Sequence, residues 1–290
     1  MTDTPPFKDF FDEGSLWKLL RGENPYTFLN TYSILQQLFG YELPYANYGY
    51  WEQGLDTPEP GQKLTIHLGE ALGISPGDRV LEAGSGLGQC AVDLCGHFEA
   101  EQVLGMNVCA PQVRYANALA AAAGLSDKIE HQEVDACAKV QSLEPGAFNH
   151  ALAQECIGHF PDPLGFLTGV RKMLPSGGRM AFTLVTSPKP PPRPQAIAQK
   201  TFFGVVPHDG AHWAGLMEQA GFTDVRREDM TEVVFVPMFG FIRRKLREEP
   251  ESFKVTGPAG RLALRAFLKV TEAGVRRGTM GYELLVGQAP

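Results

Sequence analysis

Between Val80 and Gln89 the chain reads Val-Leu-Glu-Ala-Gly-Ser-Gly-Leu-Gly-Gln. An apolar run ends on an acid and then meets glycine at 84, 86 and 88. Such a segment leaves a buried parallel strand, turns tightly and opens a helix. Without a Cβ, glycine can take unusual dihedrals there and let a ligand press against bare backbone. A dinucleotide fingerprint would need Gly-x-Gly-x-x-Gly, to set a pyrophosphate on the helix N-terminus. Here the third glycine, Gly88, comes one residue early, and Glu82 in front of the turn would repel a pyrophosphate. The pattern suits a ligand with a cationic end and no phosphate, and S-adenosylmethionine, with its ammonium and sulfonium, is such a ligand.

The rest of the chain predicts a sheet around this turn. Strands are expected at 79–83, 101–108, 128–134, 148–154, 179–186, 222–230 and 282–287. Helices are expected at 61–73, from the glycine loop to 97, and at 111–124, 164–174 and 210–220. This alternation predicts an α/β fold: a seven-stranded, mostly parallel sheet with helices on both faces. Pro175-Ser176-Gly177-Gly178 stops one helix. The five prolines of 187–194 read as a stiff connector. Residues 1–60 are aromatic-rich and read as a helical arm. The core runs over 61–231, a helical lid over 232–277, and the last strand lies in 278–290. The lid sits between the last two strands, so its ends are expected at the carboxyl edge of the sheet.

Composition narrows the partners. The 290 residues carry a net charge of −7, which argues against a nucleic-acid surface. The clusters at 226–227, 243–245 and 276–277 read as solvated helix faces. Five cysteines without metal-ligand spacing suggest reduced thiols in a cytoplasm. The N-terminus lacks the basic flank and apolar run of a signal peptide, and no run reaches the ~18 apolar residues of a membrane span. The expectation is a cytoplasmic monomer or homodimer with no nucleic-acid or membrane partner.

Four further segments fall where ligands of open parallel sheets bind, outside the carboxyl ends of the strands. They are Gly105-Met106-Asn107 with Gln112, Val134-Asp135-Ala136, Glu155-Cys156-Ile157-Gly158-His159-Phe160-Pro161-Asp162 and, before the core, Asn47-Tyr48-Gly49-Tyr50-Trp51. With the glycine loop, they resemble the Rossmann-like S-adenosylmethionine-dependent small-molecule methyltransferases, in particular the natural-product (polyketide-type) O-methyltransferases. The resemblance covers 45–187 well, and 210–230 and 280–288 in pattern only. It implies that Tyr50, Glu82, Gly84, Gly86, Gly88, Asn107, Gln112, Asp135, Ala136 and Glu155 bind the cofactor. Asp135 would meet adenine, although an aspartate before a helix also serves as an N-cap. His159 would be the general base, since imidazole titrates near neutrality. His159 could instead cap or pack beneath its loop.

The chain departs from the family in several places. It has Asn107 where many nucleoside sites place an acid, valine in place of glycine before Asp135, and no carboxylate in Thr183–Thr186 to orient the histidine. His208, in Pro207-His208-Asp209-Gly210-Ala211-His212, is a candidate second base or substrate contact. Two histidines and one aspartate in one loop are thin grounds for a metal, and helix capping is the alternative.

The function implied is methyl transfer from S-adenosylmethionine to a hydroxyl or enol oxygen of a small lipophilic molecule, with S-adenosylhomocysteine as product. Carbon or nitrogen methylation, and a cofactor-bound cyclase that transfers no methyl, are the alternatives. A nucleotide dehydrogenase is disfavoured by the glycine phase and Glu82.

Overall fold

A computed structural model describes residue 45 and residues 47–203, 207–248 and 257–290. The helices expected within residues 1–44 lie outside the described residues. From Pro60 the elements run α1 (Pro60–Leu72), β1 (Arg79–Ala83), α2 (Gln89–His97), β2 (Gln102–Asn107), α3 (Ala110–Ala122), β3 (Ile129–Glu133), α4 (Ala136–Lys139), β4 (His150–Gln154) and α5 (Pro163–Met173). They continue with β5 (Arg179–Thr186), α6 (Arg193–Phe203), α7 (Gly210–Gln219), β6 (Thr223–Asp229), α8 (Thr231–Glu248), α9 (Gly257–Arg277) and β7 (Gly281–Gln288).

The seven strands form one sheet in the order β3-β2-β1-β4-β5-β7-β6. The pairs among β1 to β5 are parallel, and β7 runs antiparallel to both β5 and β6. The order reverses between β1 and β4, so the crevice at their carboxyl ends is the switch point where ligands of such sheets bind.

Alternation along the central strands fills two layers. Val80, Leu152, Ala181 and Leu284 face one side, packed with Leu64, Leu68 and Leu72 of α1 and with Val234, Phe235 and Met238 of α8. Leu81, Ala151, Phe182 and Leu285 face the other, packed with Phe166 and Val170 of α5 and with Trp213 and Met217 of α7. The apolar residues of α1 recur every four positions, which puts them on one helix face.

The insertion before the last strand is an α8–α9 helix pair. Because β7 returns antiparallel, Asp229 at the end of β6 stands opposite Glu283 near the start of β7. Both ends of the insertion therefore leave the carboxyl edge of the sheet. One expectation is corrected. The proline-rich stretch is a connector only as far as Pro192, because α6 starts at Arg193 with Pro194 in its first turn. A first-turn proline is tolerated because its missing N–H would have no intrahelical acceptor anyway.

Candidate active site

The glycine loop is built by backbone conformation. Gly84, Gly86 and Gly88 have φ of 68°, 52° and 85°. A Cβ on Gly84 would lie 2.6 Å from Cβ and Sγ of Cys156, and one on Gly88 would lie 2.6 Å from Cβ of Ala116. The loop is pinned to β2 by the Ser85 N–H, which donates to the Met106 carbonyl at 3.0 Å. Beneath it lies His131 of β3, which sequence reasoning passed over as one polar residue in a strand. Its Nδ1 is 3.0 Å from Ser85 Oγ, and it occupies the space that a Cβ on Gly105 would need. Burial lowers its pKa to about 4, so it is a neutral strut.

Two cavities meet at Gly84 and Gly86. The larger, about 260 Å³, is lined by Asn107 and Gln112, by Asp135 and Ala136, and by Cys156, His159 and Phe160 among others. Asn107 donates to Gln112 Oε1 at 2.7 Å and to the Gly86 carbonyl at 3.3 Å. That leaves Gln112 Nε2 buried with no partner among the described residues. Asp135 caps α4, accepting from the Cys137 N–H at 2.9 Å. Capping and cavity lining thus coexist at one residue. His159 sits in a short 3-10 turn after β4, and burial holds its imidazole below its ordinary pKa.

The smaller cavity, about 40 Å³, is lined by Glu82, Gly88, Gln154, Tyr45 and Asn47 among others. Glu82 Oε2 and Gln154 Nε2 are buried there without partners among the described residues. Burial pushes the Glu82 carboxyl up to about 8; the Cys90 thiol bonded to it opposes the shift, and Asp93 reinforces it.

The arm closes over this end. Tyr45 Oη donates to Asp93 Oδ2 at 2.5 Å, Asn47 Nδ2 to the Gly61 carbonyl at 3.0 Å, and the Tyr48 N–H to Glu155 Oε1 at 2.8 Å. A Cβ on Gly61 would overlap the Tyr45 ring at 2.6 Å, so this glycine seats the arm.

Two residues expected to touch the cofactor stand elsewhere. Tyr50 stacks on His67, with ring centroids 4.6 Å apart, and lines neither cavity. The arm residues in the cavity wall are instead Tyr45 and Asn47. Glu155, at φ 57°, also lines neither cavity. Its carboxylate takes the Tyr48 N–H and, at 2.7 Å, the Tyr282 hydroxyl of β7, and burial raises its pKa to about 8. His208 lines a third cavity, which shares Phe160 and Pro161 with the cavity that His159 lines.

The donor set fits S-adenosylmethionine. An unpaired, buried carboxylate oxygen matches an ammonium, and an unpaired amide N–H on Gln154 matches a carboxylate. The glycine backbone lies between this polar end and a roomier chamber whose amide and carboxylate groups can meet ribose and adenine.

Residues 81–182 match the family described as a methyltransferase domain. The chain is 28% identical over 227 residues to the erythromycin 3''-O-methyltransferase of Saccharopolyspora erythraea, covering 73% of this chain and 72% of that protein. It is also 28% identical over 225 residues to an S-adenosyl-L-methionine-dependent Diels-Alderase of Talaromyces variabilis, covering 69% and 74%. Among solved structures, the [4+2]-cyclase SpnF superposes with a TM-score of 0.69 at 24% identity, over 89% of this chain and 92% of that one. Phosphoethanolamine N-methyltransferase 2 of Haemonchus contortus, solved with S-adenosyl-L-methionine, gives 0.77 at 16% identity, over 99% and 61%. At these identities the structural likeness speaks for the fold. No helix among the described residues is long and apolar enough to cross a membrane. The glycine loop, the sheet order and the matched segment together give the chain a Rossmann-like sheet that carries a methyltransferase domain over residues 81–182.

Proposed function

We propose that the protein transfers the methyl group of S-adenosylmethionine to a hydroxyl or enol oxygen of a small lipophilic natural product, with His159 as general base. The observation that carries this reading is the position of His159. It lines the same cavity as Gly84, Gly86, Asn107 and Asp135, and its lowered pKa keeps it an unprotonated acceptor at neutral pH.

In this reading Glu82 and Gln154 hold the amino-acid end of the cofactor, and Asn107, Gln112, Asp135 and Ala136 hold the nucleoside end. Bound there, S-adenosylmethionine supplies an electrophilic methyl group. The chain's own work is to orient the acceptor hydroxyl and take its proton on His159, and much of the rate comes from alignment. Tyr48, Glu155 and Tyr282 keep the arm in place. The arm at 47–51 and the α8–α9 pair act as covers that exclude water and select the acceptor. The relatives named above support an oxygenated natural product as substrate class.

Labelled methyl transfer to a panel of lipophilic phenols and enols tests this. His159→Gln should lower kcat by about 10²–10⁴ while leaving S-adenosylhomocysteine affinity intact. Full activity of that variant between pH 6 and 9 would overturn the base assignment. A second reading, a cofactor-bound cyclase, is favoured by the Diels-Alderase relative, of which the chain covers 74%. A product of unchanged mass would decide for it.

A further inference from the structure

Beside the cofactor chamber, and outside it, lies a cavity of about 380 Å³ between the starts of α5 and α7 and the end of β5. Phe160, Leu164, Leu184 and Leu216 make its walls apolar. Its polar groups are few. His208 and His212 stand exposed and stacked, with centroids 4.1 Å apart. Asp162 is committed to capping α5 through the Gly165 N–H at 2.9 Å, and Asp209 caps α7 through the His212 N–H at 2.7 Å. Each cap takes one first-turn N–H and sets a carboxylate at the helix start, which disfavours an anion there.

Trp213 is different. It lines the cavity, is only 4% exposed, and its indole N–H is buried with no partner among the described residues. A buried indole N–H normally finds an acceptor, because leaving it unpaired costs about 1–3 kcal/mol. Burial and the neighbouring His208 lower the His212 pKa, against the pull of Asp209. The wall calls for an apolar body with one neutral acceptor oxygen.

Phe160 and Pro161 line both this cavity and the cofactor chamber, and Gly158 and His159 lie on its two sides. A molecule seated here thus lies against the residue next to His159. We propose that this second chamber receives the apolar end of the acceptor, a neutral lipophilic molecule whose keto or hydroxyl oxygen accepts the Trp213 indole N–H. The site rests on the reading that a small-molecule acceptor is bound near His159.

The test is a binding experiment on the full chain, with S-adenosylhomocysteine present and indole-15N-labelled tryptophan. The probes are 1-naphthol and naphthalene. The Trp213 indole resonance is identified by its loss in Trp213→Phe. It should shift and saturate with 1-naphthol, and naphthalene should bind at least ~10-fold more weakly, as loss of one buried hydrogen bond implies. Leu216→Trp, which fills the chamber, should abolish the shift and leave the S-adenosylhomocysteine affinity unchanged. Absence of 1-naphthol binding, or binding that leaves the Trp213 resonance in place and survives Leu216→Trp, would overturn the proposal. Should the shift persist while labelled methyl transfer fails on every acceptor, the chamber stands and the methyl-transfer reading falls.

Discussion

The loop at 84–88 is held by backbone conformation and by contacts into which no atom can be added. The arm at 45–51 is held mainly by hydrogen bonds, to the Asp93 and Glu155 carboxylates and to backbone carbonyls, with close packing at Gly49. Gly84 meets Cys156, and Gly88 meets Ala116, at distances that exclude a Cβ. The arm instead rests on Asp93, the Gly61 carbonyl and Glu155, with Trp51 buried at 2% exposure as its anchor. Steric constraint of the first kind gives one geometry, preformed for the ligand. Hydrogen bonds of the second kind can be broken and remade, each at a modest cost of about 1 kcal/mol. The smaller cavity measures about 40 Å³ with the arm seated. The donor's cradle is rigid and its cover is releasable.

The sharpest test is to add one methyl group to Gly88 in the loop and to Gly54, just beyond the arm. Gly88→Ala should destabilise the fold by about 3 kcal/mol, from positive φ together with overlap on Ala116. In the segment after the arm, Gly54 also has positive φ, at 62°, but nothing within 4 Å of its added Cβ. Gly54→Ala should cost only about 1 kcal/mol, the backbone share. Urea denaturation measures both, and equal losses would mean that sterics do not distinguish the two positions.

The next effect concerns charge. Glu82→Gln should weaken S-adenosylmethionine binding by about 10–100-fold, the loss of a charge-assisted hydrogen bond, as calorimetry can measure. The pH dependence has a definite sign. Burial raises Glu82 from 4.5 to about 8, so the folded ligand-free chain keeps a proton that the unfolded chain releases. That stabilisation is complete below pH 4.5 and is lost as the pH rises through about 8. Glu155, raised over the same interval by the same cause, adds to the trend. The ligand-free Tm should fall from pH 5 toward 8, and Glu82→Gln should flatten Glu82's part. Cofactor affinity should run the opposite way, rising with pH, because an ammonium needs the carboxylate ionised.

Smaller effects come from the arm and the nucleoside end. Tyr45→Phe should cost about 1 kcal/mol and speed hydrogen exchange at the Tyr48 amide, with the glycine loop unchanged. Asn107→Asp removes the donor to Gly86 and Gln112 but keeps an acceptor. A change of no more than about fivefold in cofactor affinity is expected, within the range of one neutral hydrogen bond.

The fold was legible because its signals are local. Apolar runs bounded by Pro and Gly give β1 and β5 their observed limits, and the glycine phase marks the turn that opens α2. Arg193-Pro194 was misread because a proline cluster hides the one place in a helix where proline fits. The site was legible only where chemistry follows its own strand, as at Glu82, Asn107 and Asp135. Tyr45 enters the cavity wall through Gly61 and Asp93, partners 16 and 48 residues away. Glu155 turns to the arm and Tyr282 because a left-handed backbone aims it there. No spacing in the sequence encodes such pairings.

The antiparallel return of β7 carries one more consequence. Asp229 and Glu283, which flank the α8–α9 insertion, are neighbours in the sheet whatever lies between them. The chain between them is a loop whose ends are already joined, and the entropy of closing it grows only slowly with length, about 0.6 kcal/mol per doubling. Helices can therefore be lengthened, shortened or exchanged at this junction with little strain on the donor's cradle. The junction is a natural grafting point, through which one methyl-donor platform can be refitted for new acceptors.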